Sequence, residues 1–305
     1  MQLRTFEDGR SRPAVGLLTS AAGIVVIAAV AALAAISLPV SFPWLPDQLA
    51  LLFWFSLLML PLLLGFYWIL THFLERRPLG SVGFAFHPRW KNELATGLIA
   101  GTLMIVAVAG IECLLGFARF TLAPGPWGRT ILGGVLLFLL LAVAAADEEL
   151  IFRGYPFQRL VDLAGPVVAV VLASALFGAA HLRNPFQNWV STLNTALVGG
   201  LLAVCYLRTR ALWLPLGIHV AWNFVQAYVL GLPVSGVAFP HTLLQAKISG
   251  PFWLTGGAYG PEGSILSLGV IAAGTAYFFV SRRIYTTTEM WQPGPGRREV
   301  FPLFP

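Results

Sequence analysis

Residues 130–153 read TILGGVLLFLLLAVAAADEELIFR, an apolar run of membrane-spanning length that ends in three consecutive acids and an arginine. A hydrocarbon core about 30 Å thick needs roughly 20 apolar residues at about 1.5 Å rise each, so this run reads as a transmembrane helix. The rest of the chain agrees. Of its 305 residues, 57% are apolar and 10% charged, whereas a soluble domain carries about 25% charge. The missing charge corresponds to surface that does not face water. The sequence therefore predicts an all-α membrane protein, a polytopic bundle of about eight transmembrane helices. Disordered and collagen-like chains do not fit this composition, and an outer-membrane barrel would show short alternating segments instead of continuous runs.

Working outward, segments of spanning length fall at 15–40, 48–73, 94–116, 130–152, 166–183, 187–207, 211–230 and 264–281. Arg4, Arg10 and Arg12 ahead of the first resemble a signal peptide, yet the run from Val15 to Val40 is too long for a cleaved apolar region, so a retained span is expected. Arg76, Arg77, Arg89, Lys91, Arg153, Arg159, Arg208, Arg210, Arg282, Arg283, Arg297 and Arg298 all fall on one side of such a bundle. The positive-inside rule makes that side cytoplasmic, with both termini, in a multi-pass protein of the cell membrane. One membrane-embedded domain over 15–284 follows, with its motif core at 148–223. A cytoplasmic segment 1–14 precedes it and a poorly ordered cytoplasmic tail 285–305 ends the chain. The Pro- and Gly-rich 231–263 loop reads as an irregular interfacial cap. The net charge of +6 is spread between the hydrophobic runs, which reads as topology and argues against nucleic acid. Cys113 and Cys205 sit in apolar runs and read as small buried hydrophobes.

An ionisable group at bilayer depth costs roughly 2.5–3.5 kcal/mol on insertion scales, so each demands a partner or a purpose. The expensive residues cluster: Asp147-Glu148-Glu149 with Arg153 ends the fourth span, Phe177-Gly-Ala-Ala-His181 ends the fifth, and His219-Val-Ala-Trp-Asn223 lies in the seventh. Glu149 and Arg153 share a helix face at i,i+4 and can neutralise each other. Glu148 lies about 100° away around the helix axis and is the candidate base. The point midway between Glu148 and His181 falls on the Ala164-Gly165-Pro166 turn, so antiparallel helices leaving it bring the two side chains to one level. His219 and Asn223 again share a face. A carboxylate, two imidazoles and a carboxamide are an inventory for activating water and holding an oxyanion. Phe177 reads as packing beside them, and Gly199-Gly200 as a close helix approach. His72, His87 and His241 read as surface residues, Glu112 as interfacial, and Trp44, Trp68, Trp213 and Trp253 as interface anchors.

These three groups resemble the motifs EExxxR, FxxxH and HxxxN of the CPBP family, the CAAX proteases and bacteriocin-processing enzymes, also called type II CAAX prenyl endopeptidases. All three stand in order on three expected spans, over residues 148–223. The resemblance implies an intramembrane endopeptidase that cleaves a membrane-associated peptide or protein near the cytoplasmic face. In that family's terms Glu148 and His181 would activate water, His219 and Asn223 would hold the oxyanion, and Glu149 with Arg153 would order the site. A metalloprotease reading adds zinc on Glu148, His181 and His219; a metal-free glutamate mechanism uses the same residues. A competing expectation is a non-catalytic membrane protein of the same fold that serves partner binding or self-immunity. A weaker one is a transporter relaying protons.

Overall fold

The structure, a computed structural model, describes residues 11–38 and 47–287. Most of the expected segments 1–14 and 285–305, and Trp44, lie outside the described residues. The elements in chain order are α1 (Ser11–Ser37), α2 (Asp47–Ile69), α3 (Trp90–Leu114), β1 (Ala118–Leu122), α4 (Trp127–Phe152) and α5 (Tyr155–Ala164). They continue with α6 (Pro166–Ala180), α7 (Trp189–Thr209), α8 (Trp213–Phe224), β2 (Leu244–Ile248), α9 (Phe252–Thr255) and α10 (Ile265–Val280). Five described helical segments are long and apolar enough to span: Pro13–Ser37, Leu49–Glu75, Trp90–Leu114, Trp127–Ala164 and Trp189–Thr209. Each of the eight stretches read from the sequence contains a helix, but three are short. The 15 residues of α6 rise about 22 Å and the 16 of α10 about 24 Å, against a core of about 30 Å. The 12 residues of α8 are prolonged by a π-helical turn, Val225–Val229.

Local chemistry sets the boundaries that matter for the site. Gly165, at φ 82°, and Pro166 at the start of α6 make the tight α5–α6 junction, because glycine tolerates the left-handed region and proline suits a first helical turn. Asn188 caps α7, its side chain accepting from the Val190 and Ser191 N–H groups while Ser191 accepts from the Asn188 N–H. That exchange satisfies donors that a helix start otherwise leaves open.

The helices close into a ring. In order of packing neighbours it runs α2, α4, α8, α3, α10, α7, α6, α5, α1 and back to α2. Leucines, valines and aromatics on its outside, such as Val25, Leu103, Ile131, Val171 and Leu176, are exposed, as expected of a surface solvated by lipid. One end of the bundle carries a polar cluster in which Glu75 accepts from Tyr155 and pairs with Arg159, which also pairs with Asp162. The other end carries a two-stranded antiparallel sheet, Ala118 opposite Ile248 through Leu122 opposite Leu244.

Several expectations are corrected. The 231–263 loop is not wholly irregular, because β2 finds its partner in β1, some 125 residues away in the chain. His87 is buried, with Nε2 3.2 Å from Glu93 Oε2, because the segment before α3 folds against the start of α8 through Leu212 N–H to Gly83 O and Trp213 Nε1 to Ala85 O. Glu112 is fully buried, whereas its neighbour Cys113 faces outward; successive residues on one helix point about 100° apart.

Candidate active site

The last turn of α4 builds the site from its covalent neighbours. Arg153 and Glu149, both fully buried, meet with Nη1 3.2 Å from Oε1. Arg153 Nη2 donates to the Gly199 carbonyl of α7 at 3.2 Å, and its guanidinium lies 4.3 Å from the centre of the Phe177 ring on α6. One side chain therefore ties three helices together, which a buried cation must do to recover its lost hydration. A Cβ added at Gly199 would sit 3.1 Å from Ser174 Cα and 3.2 Å from Phe177 Cβ, so the glycine permits the approach of α6 and α7.

Glu149 Oε1 also takes the Nδ1–H of His219 at 2.9 Å. With Nδ1 engaged by Glu149, Nε2 is the nitrogen turned towards Glu148. It lies 3.7 Å from Glu148 Oε2. The adjacent acids differ sharply: the Glu148 side chain is 33% exposed and that of Glu149 is 0%. His181 closes α6, its Nδ1–H donating to the Phe177 carbonyl at 2.8 Å, so Nε2 is the nitrogen not taken up by that bond. Phe177 touches both imidazoles, with ring centres 4.8 Å from His181 and 6.2 Å from His219.

Glu148, His181, His219 and Asn223 all line one cavity of about 410 Å³, while Glu149 and Arg153 stand behind it. An apolar wall comes from Leu52, Phe55 and Met59 of α2, Leu140 and Leu141 of α4, and Phe239. Among the described residues, no three His, Cys, Asp or Glu side chains are grouped so as to hold a metal ion. Glu148, His181 and His219 share the cavity without closing on a common point.

Sequence reasoning gave no role to other polar residues of this cavity, Asp147 of the named cluster among them. Asp147 lines it, buried, with neither carboxyl oxygen hydrogen-bonded among the described residues. Glu262, Ser235, Asn184, Asn194 and Thr195 also line it. The N–H and Oγ of Ser235 both donate to Glu262 Oε2, and Asn194 Nδ2 donates to the carbonyls of Glu262 and Ser264 at 2.8 and 2.7 Å. Burial raises the Glu262 carboxyl above its ordinary value, opposed by the Ser235 hydrogen bonds and by His181. The available signal was Glu262 itself, the lone acid of the 231–263 loop.

Residues 130–225 match the family model "Type II CAAX prenyl endopeptidase Rce1-like". The "Uncharacterized protein YyaK" of Bacillus subtilis (strain 168) is 24% identical over 161 residues, 51% of this chain and 54% of that protein. The chain thus spans about half the length of this curated relative. No solved structure matches. The likeness to the type II CAAX prenyl endopeptidases carried by the three motifs is therefore shown over residues 130–225, the part of the chain that holds every motif side chain.

Proposed function

We propose that the protein is an intramembrane endopeptidase that hydrolyses a peptide bond of a membrane-associated peptide or protein near the arginine-rich, cytoplasmic end of the bundle. The observation that carries this reading is the gathering of Glu148, His181, His219 and Asn223 from three helices around one cavity, with His219 Nε2 turned to Glu148. The Glu148 carboxylate takes a proton from a water that His181 Nε2 helps to orient, and the water oxygen forms a bond to the carbonyl carbon. The carbonyl oxygen becomes an oxyanion held by Asn223 and by His219, which donates from Nε2 when its ring is doubly protonated. As the C–N bond breaks, Glu148 passes its proton to the leaving amine. Glu149 and Arg153 hold the His219 ring in orientation.

Zinc on Glu148, His181 and His219 is a separate proposal and no step above needs it. The donor types suit zinc, although no three such side chains among the described residues are grouped so as to hold a metal ion.

Labelling of new peptide N-termini in membranes carrying the wild type or Glu148→Gln tests the reading. Termini present with the wild type should fall by about 10²-fold or more in the variant; equal yields reject Glu148 as the base. Cleavage that stops on chelation and returns with zinc supports the metal, and cleavage indifferent to chelation rejects it.

A further inference from the structure

The cavity is acidic although the chain as a whole carries a net charge of +6. Three acids line it, Asp147, Glu148 and Glu262, and among the described residues no lysine or arginine does. Arg153 is close by but is committed to Glu149, the Gly199 carbonyl and the Phe177 ring. A second observation concerns one member by itself: Asp147 is 4% exposed, and among the described residues neither of its oxygens has a hydrogen-bond partner. A buried carboxylate without a donor is costly, and a cationic ligand would supply the missing donor. Glu262 is in addition built into place. Two donors from Ser235 fix one oxygen, and Asn194 grips the carbonyls of Glu262 itself and of Ser264, so the segment following the 3₁₀ turn Gly257–Tyr259 presents this carboxylate as a fixed part of the wall. Leu52, Phe55, Met59, Leu140, Leu141 and Phe239 give the same cavity an apolar lining. A ligand with an alkyl stem and an ammonium or guanidinium head complements both.

We propose that Glu262 is a specificity determinant that selects, with Asp147, a substrate bearing a lysine or arginine side chain beside the bond that Glu148 hydrolyses. The inference rests on the endopeptidase reading for the word substrate, but its physical content is cation binding. A free carboxylate presented to the same wall is repelled.

The test uses the full chain carrying Glu148→Gln, so that nothing is turned over, in nanodiscs of neutral phosphatidylcholine. The probes are a dansyl-labelled apolar peptide with one lysine and its twin with norleucine in that place. The lysine peptide should bind about tenfold or more tightly, as expected of a close charge pair removed from water. Adding Glu262→Gln should erase most of the difference between the two peptides. Equal affinities, no measurable binding of the lysine peptide, or a preference that survives Glu262→Gln each overturn the proposal. Should Glu262→Gln not fold, Glu262→Asp is measured instead, and an unchanged preference there overturns the assignment to Glu262. Parallel incubation with the wild type separates the two readings. A lysine preference without cleavage sinks the peptidase and leaves the cation site, whereas cleavage of both peptides with equal affinities sinks only the cation site.

Discussion

At the scale of single residues, the neighbouring acids Glu148 and Glu149 differ because a helix turns them about 100° apart. One meets the cavity, and the other is sealed between Arg153 and His219. The i,i+4 spacing made the Glu149–Arg153 pair legible in the sequence, since both partners lie on one helix. The Gly199 carbonyl and the Phe177 ring were not legible as partners of Arg153, because they arrive from α7 and α6 through tertiary packing. Lysine at 153 would keep the charge but could not reach Glu149 and Gly199 together while lying over Phe177. Arg153→Lys is therefore expected to lower stability by about 1–3 kcal/mol through unpaired buried groups. It should also cut activity, read from denaturation in detergent and from cleavage by the fraction that remains folded. Wild-type stability and rate in this variant would mean that the guanidinium does not hold the site.

At the scale of elements, α8 carries His219 and Asn223, and its position depends on glycines of α3. A Cβ at Gly97 would stand 2.3 Å from the Leu214 carbonyl oxygen, and one at Gly101 2.3 Å from that of Ile218; on α8, a Cβ at Gly217 would stand 2.5 Å from the Leu94 carbonyl oxygen. The backbones are in direct contact, the arrangement that small residues four apart permit in lipid. Gly101→Ala pushes on the peptide just before His219. It should cost about 1–3 kcal/mol, as overpacking does, and reduce cleavage; Gly110→Ala, with nothing within 4 Å, is the matched control. Equal thermal transitions for the two variants would refute the contact. Span positions were legible because apolar length is a local property. The β1–β2 pairing and the seat of Glu262 depend on segments far apart in the chain, and no local pattern encodes them.

For the whole molecule, the ring of helices surrounds the cavity, and the two ends of the bundle differ in charge. Arg76, Arg77 and Arg159 lie towards one end, and the sheet with Arg119 and Lys247 lies at the other. If the first end is cytoplasmic, a cytoplasmic reporter fused after residue 305 should be active, as should one in the 76–89 connection, and one in the 118–126 connection silent; the reverse pattern inverts the orientation. The brevity of α6 and α10 bears on the surrounding lipid. The outward side chains Val167, Val171 and Leu176 of α6, and Ile265 and Val280 of α10, offer a hydrophobic height of only about 22–24 Å. Lipids along that flank must compress to match it, a mismatch penalty of fractions of a kcal/mol per Å. Catalysis should then follow acyl-chain length, with turnover in dimyristoyl-phosphatidylcholine vesicles exceeding that in dierucoyl-phosphatidylcholine, where the same protein must dent a thicker leaflet to keep its short flank covered.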